Sequence, residues 1–100
     1  MSDYNPFTLS GKNILITGAS SGIGRSTAIE CSRMGATLVI SGRNEERLTE
    51  TLSQLTGKGH LAITADLNNE EDLLNLVDNC LLLDGVVHCA GIMYYARFYL

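Results

Sequence analysis

Thr17-Gly18-Ala19-Ser20-Ser21-Gly22-Ile23-Gly24 follows directly on the apolar run Asn13–Ile16 and leads into a helical pattern. This order predicts a strand, a glycine-rich turn and a helix. Glycine lets the backbone turn sharply and approach a ligand without a Cβ clash. The first turn of a helix presents unpaired N–H groups and the positive end of its dipole. The stretch is therefore typical of a turn that binds a phosphate group.

The composition is that of one small globular domain. Of the 100 residues, 45% are hydrophobic and 18% are charged, and the formal net charge is −4. A core can form from this content, and a negative charge without a basic run argues against nucleic-acid binding. No apolar stretch is long enough to cross a bilayer, and the N-terminus lacks the features of a secretory signal. We expect a cytoplasmic protein.

The three cysteines, Cys31, Cys80 and Cys89, are far apart in the sequence and have no histidine or aspartate at ligand spacing. This pattern suggests neither a zinc site nor a disulfide framework. We expect reduced, buried cysteines that act as small apolar side chains, and no metal site.

Short apolar runs alternate with helical patterns along the chain after an exposed lead-in over residues 1–10. The predicted strands cover residues 12–17, 37–40, 60–65 and 86–89, and the predicted helices cover 23–34, 44–57 and about 69–83. Asn44 is the expected N-cap of the second helix, with Glu45 and Glu46 in the first turn, where the dipole favours acids. The first helix is expected to turn Ile23, Thr27, Ala28 and Cys31 inward, and the third to turn Leu73, Leu74, Val77 and Leu81 inward.

Four strands separated by three helices predict an α/β fold with a Rossmann-like, doubly wound parallel sheet over residues 11–100. With the first strand central, the strand order is 3-2-1-4, which is the first part of such a sheet and leaves it incomplete. Ligands bind beyond the carboxyl ends of the strands, where the winding direction reverses. The glycine-rich turn lies at one of those ends and Ala90-Gly91 at another.

The glycine spacing, Thr-Gly-x-x-x-Gly-x-Gly, resembles the fingerprint of the short-chain dehydrogenases/reductases. Asp66-Leu67 after the third strand, Ala90-Gly91 after the fourth and the opening Leu9-Ser10-Gly11-Lys12 also fall where that family has them. The resemblance extends from about Leu9 to Ile92 and implies the N-terminal, cofactor-binding half of such an enzyme.

The resemblance implies a role for each residue of the turn. Gly18 would make the turn, while Gly22 and Gly24 would let the backbone approach the pyrophosphate and the helix pack on the sheet. Ile23 would offer its backbone N–H to a phosphate oxygen.

Further along the chain, the resemblance implies contacts with the rest of the dinucleotide. Asp66 would accept a hydrogen bond from the adenine amino group, and the Leu67 backbone would pair with the ring. The alternative for Asp66 is that it only caps the following helix. Cys89, Ala90 and Gly91 would border the ribose on the nicotinamide side.

The residues after the second strand favour NADP(H) over NAD(H). An NAD enzyme has an acid there to hold the ribose hydroxyls, whereas this chain has Ser41-Gly42 followed by Arg43. Arginine can form a bidentate contact to a 2′-phosphate, and Ser20 and Ser21 can add hydroxyl donors. The alternative is that Arg43 is a solvated loop residue.

The sequence departs from the family in two places. His88-Cys89 replaces the usual Asn-Asn, whose first asparagine helps tie the central strands together. His88 could form that tie through a ring nitrogen, but the substitution weakens the expectation of it, and a core histidine is favoured over a catalytic one. Neither Tyr94 nor Tyr95 is followed by lysine at the spacing of the family's catalytic Tyr-x-x-x-Lys pair. No residue of this chain can be given a catalytic role.

Two functions remain open at this point. The chain is either the cofactor-binding part of an NADP-dependent short-chain oxidoreductase that acts on a small carbonyl or alcohol, or it belongs to a different class. That class is a non-catalytic nucleotide-binding module or a truncated product that needs a partner chain. The resemblance implies a homo-oligomer for the complete enzyme. The 100 residues alone are expected to be inactive and marginally stable, with strand four as an open edge.

Overall fold

The computed structural model describes residues 8–80, 82–89 and 93–96, the last of these for the backbone only. In chain order the elements are β1 (Asn13–Thr17), α1 (Gly22–Arg33), β2 (Thr37–Gly42), α2 (Glu45–Ser53), β3 (Leu61–Thr64), α3 (Glu70–Asp78), β4 (Gly85–Cys89) and β5 (Met93–Ala96). Every predicted element is present, and β2 extends through Ser41 and Gly42.

The strands form one sheet in the order β3-β2-β1-β4-β5. The pairs among β1 to β4 are parallel, as predicted, so the chain has the doubly wound α/β arrangement with β1 central. The expectation of an open edge at strand four is wrong, because β5 pairs antiparallel along β4.

The face of the sheet that carries α1 and α2 holds the core. Alternate residues of the central strands point to this face, and Ile16, Leu38 and Ile40 are fully buried. Leu48 of α2 and Ala28 of α1 pack against them. The small side chain of Ala28 lets the helix lie close to the sheet.

Helix α3 covers the opposite face of the sheet, and the side of the helix that is buried differs from the predicted one. A right-handed crossover from β3 to β4 carries α3 to this face, and Leu76 is its buried residue. Leu73, Leu74 and Val77, predicted to face inward, are 41–57% exposed, and Leu81 lies outside the described residues. The apolar pattern identified the helix but not the side that it buries.

Ile23 is a second correction to the predicted helix faces. Ile23 is 70% exposed, although its place in the apolar pattern predicted burial. Gly24, Ala28 and Ser32 form the buried side of the helix instead.

Contacts at the amino ends of the strands set the register of the sheet. The Asn13 N–H donates to Asp84 Oδ2 at 2.8 Å, and the Asp84 N–H donates to the Asn13 carbonyl at 2.7 Å. These reciprocal bonds place Ile14 beside Gly85 and Thr17 beside His88. The carboxyl ends of β1 and β4 therefore reach the same level.

Candidate cofactor-binding site

A cavity of about 650 Å³ opens beyond the carboxyl ends of the parallel strands. Its volume lies within the range of about 300–1,000 Å³ that is usual for small-molecule sites. It is lined by Thr17, Gly18, Ser20, Ser21, Ser41, Gly42, Arg43, Asn44, Arg47, Ala65, Asp66, Leu67, Asn68, His88 and Cys89. Most of the predicted site residues lie on this wall or next to it.

The glycine-rich turn leads into α1 at one side of this cavity. Gly18 and Gly22 have φ angles of 67° and 60°, in the left-handed region that other residues rarely adopt. Ser21 is the N-cap, but its side chain forms no capping hydrogen bond, and the first turn of α1 contains no acid. Among the described residues, no side chain accepts from the N–H groups at the start of α1, and no first-turn acid complements the helix dipole there.

Gly24 is required for a steric reason. A Cβ at this position would overlap the Gly18 carbonyl oxygen and lie 2.6 Å from the Gly18 carbonyl carbon. Both of those atoms belong to the backbone, so the contact cannot be relieved by a side-chain rotation. Gly24 lets the start of α1 pack directly on the turn that precedes it.

Two serine hydroxyls at the cavity have no partner among the described residues. Ser20 Oγ and Ser41 Oγ are both buried and form no hydrogen bond there. Gly42 leaves room for Ser20, since a Cβ on Gly42 would overlap Ser20 Oγ. Because buried polar atoms without a partner are rare and costly, these hydroxyls fit a site whose ligand carries polar groups.

Two exposed arginines lie in the segment that runs from the end of β2 into α2. Arg43 follows the strand, and Arg47 lies in the first turn of α2, where its N–H donates to the Asn44 cap at 3.0 Å. Both arginines line the cavity, and neither forms an ion pair with a described residue. Sequence analysis missed Arg47, although its position three residues after a predicted N-cap could have placed it beside Arg43.

Asp66 shapes the turn after β3 and does not cap α3. Its Oδ1 accepts from the Asn68 N–H at 3.0 Å, whereas the N-cap is Asn69, whose Oδ1 accepts from the Asp72 N–H at 3.2 Å. The Asp66 N–H in turn donates to Asp72 Oδ2 at 2.9 Å. The alternative in which Asp66 only caps the helix is therefore wrong, and Asp72 is a further residue that orders this wall.

His88 ties β4 to β1, which the sequence had left open. Its Nδ1 lies 2.6 Å from Thr17 Oγ1, across the register pair of the two strands. Cys89 follows it on the cavity wall. Ala90 and Gly91 lie outside the described residues.

The cysteines are free, as predicted, but half-buried rather than fully buried. Burial raises the pKa of the Cys31 thiol, with smaller contributions from Cys89 and Glu30, and burial also raises the pKa of the Cys80 thiol. A raised pKa keeps a thiol protonated and poorly nucleophilic. Cys31 and Cys80 are therefore suited to packing rather than to reaction.

The described residues contain no group of three metal-ligating side chains that could hold an ion. Within the same residues, no helix has the length and apolar character needed to span a bilayer. The residues that line the candidate site supply hydroxyls, two arginines, a carboxylate and an imidazole.

Comparison with known proteins identifies the family. The short chain dehydrogenase family model matches residues 12–99. YciK, an uncharacterized oxidoreductase of Escherichia coli (strain K12), is 38% identical over 94 residues, which cover 85% of this chain and 37% of that protein.

Solved structures agree with this match. A short chain dehydrogenase from Shigella flexneri 2a str. 301 complexed with NADP superposes with a TM-score of 0.78 at 37% identity, covering 88% of this chain and 41% of that one. A 3-ketoacyl-(acyl-carrier-protein) reductase from Brucella melitensis complexed with NADH gives a TM-score of 0.75 at 33% identity, covering 80% and 34%. The chain thus spans well under half the length of these relatives. By sequence and by fold, it belongs to the short chain dehydrogenase family.

Proposed function

We propose that this chain is the cofactor-binding part of an NADP-dependent short-chain oxidoreductase. The complete enzyme would transfer a hydride between the nicotinamide and a small carbonyl or alcohol substrate. One observation carries the proposal: the uncapped start of α1 and two exposed arginines, Arg43 and Arg47, line or border the same cavity.

The start of α1 suits a pyrophosphate. Within the described part of the chain, no side chain caps its first N–H groups, which include that of Ile23, and anions are stabilised at such a position by both the N–H groups and the dipole. Gly18, Gly22 and Gly24 would keep the backbone close to the phosphates. Ser20 and Ser21, which line the cavity, would add hydroxyl donors.

Arg43 and Arg47 suit the 2′-phosphate that distinguishes NADP(H) from NAD(H). A guanidinium donates two parallel hydrogen bonds to a phosphate, whereas an acid at the end of β2 would repel it. The cavity wall after β2 contains no acid, since Glu45 and Glu46 are not among its lining residues. Relatives of known structure include complexes with NADP and with NADH, so the preference rests on these arginines.

The residues that follow β3 and β4 suit the adenine end and the nicotinamide end of the cofactor. Asp66 keeps a second carboxylate oxygen for the adenine amino group, since the bond from the Asn68 N–H uses Oδ1. The Leu67 backbone would pair with the ring. Cys89, with Ala90 and Gly91, would border the ribose on the nicotinamide side.

Replacing Arg43 by alanine tests the cofactor preference. Fluorescence titration or calorimetry should show NADPH binding tighter than NADH to the unmodified chain. Arg43→Ala should weaken NADPH by about 1.5–3 kcal/mol, the scale of a hydrogen bond to a charged group, and should leave NADH nearly unchanged.

Arg33→Ala is the matched control for this test. It removes another exposed arginine, which pairs with Glu30 at the other end of α1, so its effect measures the general loss of positive charge. Tighter binding of NADH than of NADPH to the unmodified chain would contradict the NADP assignment. Equal losses for both cofactors in Arg43→Ala would also contradict it.

The 100 residues contain no Tyr-x-x-x-Lys pair. The chain's own residues would therefore bind and orient the cofactor, and catalytic groups would come from elsewhere. We expect NADPH binding without oxidation when simple aldehydes and ketones are added. Turnover by the purified chain would contradict this expectation, whereas binding alone would fit both an enzyme part and a non-catalytic module.

A further inference from the structure

Two side chains that do not line the cavity donate hydrogen bonds to carbonyl groups of the glycine-rich turn. Thr51 Oγ1 in α2 donates to the Ala19 carbonyl at 2.8 Å. Arg25 Nη2 in α1 donates to the Ser20 carbonyl at 2.7 Å. Each of these carbonyls belongs to a peptide group inside the turn.

The two side chains also bind each other. Arg25 Nε donates to Thr51 Oγ1 at 2.8 Å, and Arg25 Nη2 reaches the Arg47 carbonyl at 3.0 Å. Thr51 is fully buried, and only 23% of the Arg25 side chain is exposed. The guanidinium therefore joins the turn, α1 and α2 at a site largely closed to water.

The direction of these carbonyls fixes the direction of the N–H groups that follow them. In a trans peptide group, the C=O of one residue and the N–H of the next point to opposite sides, and the described residues contain no cis peptide bond. Thr51 thus orients the Ser20 N–H, and Arg25 orients the Ser21 N–H, away from the two side chains. Ser20 and Ser21 line the cavity.

A carbonyl oxygen facing a bound phosphate would repel it, and a free turn would sample such orientations. The Arg25 guanidinium also forms an ion pair with Glu50 at 3.6 Å, so its contribution to the turn is the hydrogen bond to the Ser20 carbonyl and not a net positive charge. Holding both carbonyls away from the cavity favours an anion on the cavity side of the turn.

We propose that Arg25 and Thr51 are positioning residues of the phosphate-binding turn, so that affinity for the pyrophosphate depends on them although neither contacts it. This inference rests on the proposed function for the identity of the ligand. It does not depend on the choice between NADP(H) and NAD(H), because both cofactors contain the pyrophosphate.

The test uses two ligands that share adenosine. ADP-ribose contains the pyrophosphate, and adenosine 2′-monophosphate does not. Thr51→Val removes the hydroxyl at nearly constant shape, and it should weaken ADP-ribose about 10-fold while changing adenosine 2′-monophosphate less than 2-fold. Thr51→Ser keeps the hydroxyl and should restore most of the affinity. Arg25→Gln should reproduce the loss seen in Thr51→Val.

Thr49→Val is the matched control, because Thr49 is an exposed residue of the same helix and lies outside this network. Amide NMR spectra give a second readout that does not need a ligand. In Thr51→Val and Arg25→Gln, the Ser20 and Ser21 amide signals should move more than those of β1 and β2.

Unchanged ADP-ribose affinity in folded Thr51→Val and Arg25→Gln would overturn the inference and leave the proposed function intact. Parallel losses for both ligands would overturn it too, because they would indicate general damage to the fold. If the unmodified chain bound neither ADP-ribose nor NADPH, the proposed function would fail, and the inference with it.

Discussion

The start of α1 and the starts of α2 and α3 are built in opposite ways. Asn44 and Asn69 cap α2 and α3 with their side chains, and each of these helices has acids in its first turn. Ser21 caps α1 without a side-chain hydrogen bond, and its first turn has no acid.

The difference separates helix starts that are built for stability, at α2 and α3, from the one that borders the candidate cofactor site, at α1. Side-chain caps and first-turn acids satisfy N–H groups and complement the dipole, and both stabilise a helix. At α1 the described residues supply neither a side-chain cap nor a first-turn acid, and the helix packs through Gly24 and Ala28. Five substitutions, taken in four groups, can break or sharpen this contrast.

The largest effect is expected from Gly24→Ala. The new Cβ would overlap the Gly18 carbonyl oxygen, so the turn and the helix must separate, at a cost of about 3 kcal/mol or more. Urea unfolding should show this loss, and NADPH binding should disappear. Gly85→Ala is the control, because a Cβ there meets nothing within 4 Å. A stable Gly24→Ala variant with normal NADPH affinity would refute the packing argument.

Ile23→Glu should change binding and stability in opposite directions. Ile23 is 70% exposed, so a carboxylate fits there and should stabilise α1 by about 0.3–1 kcal/mol through the helix dipole. The same charge would repel the pyrophosphate and weaken NADPH by about 1–3 kcal/mol. Ile23→Gln separates the charge from the loss of the apolar side chain. A NADPH affinity equal to that of Ile23→Gln would show that the anion does not bind at this end of α1.

Alanine at the two asparagine caps should cost stability. Asn44→Ala and Asn69→Ala each leave a first-turn N–H without its acceptor, which should lower the free energy of unfolding by about 1 kcal/mol. Asn69→Asp keeps an acceptor and should lose little. Denaturant titration measures each change, and an Asn69→Ala variant as stable as the parent would show that this cap is dispensable.

The smallest effect is expected from Ser21→Ala. Because the Ser21 side chain forms no capping bond, the free energy of unfolding should change by less than about 0.5 kcal/mol. Binding of NADPH should still weaken if the hydroxyl donates to a phosphate. A stability loss as large as that of Asn69→Ala would remove the contrast between the helix starts.

Several features of the site followed from the sequence because they depend on local chemistry. The glycine spacing predicted the turn, and Asn44 was identified as a cap from its place before two acids. The replacement of asparagine by His88 left a tie between the central strands open, and the contact of His88 with Thr17 supplies that tie.

Other features depend on contacts between distant residues, which a linear pattern does not contain. Thr51 is 32 positions from Ala19, and nothing near it in the sequence indicates a role at the turn. The apolar pattern of α3 predicted that Leu73 and Leu74 face inward. In the folded chain both are exposed, and Leu76 is buried instead.

The sequence by itself determined the order of the elements, the parallel sheet and the position of the glycine-rich turn. The hydrophobic period, the helix caps and the glycine-rich turn each depend on residues a few positions apart, so the linear sequence is enough to predict them. Only the tertiary structure decided which side of each helix is buried, that β5 covers the edge of β4, and that Arg25 and Thr51 hold the turn. Those outcomes come from packing between segments that the chain separates widely.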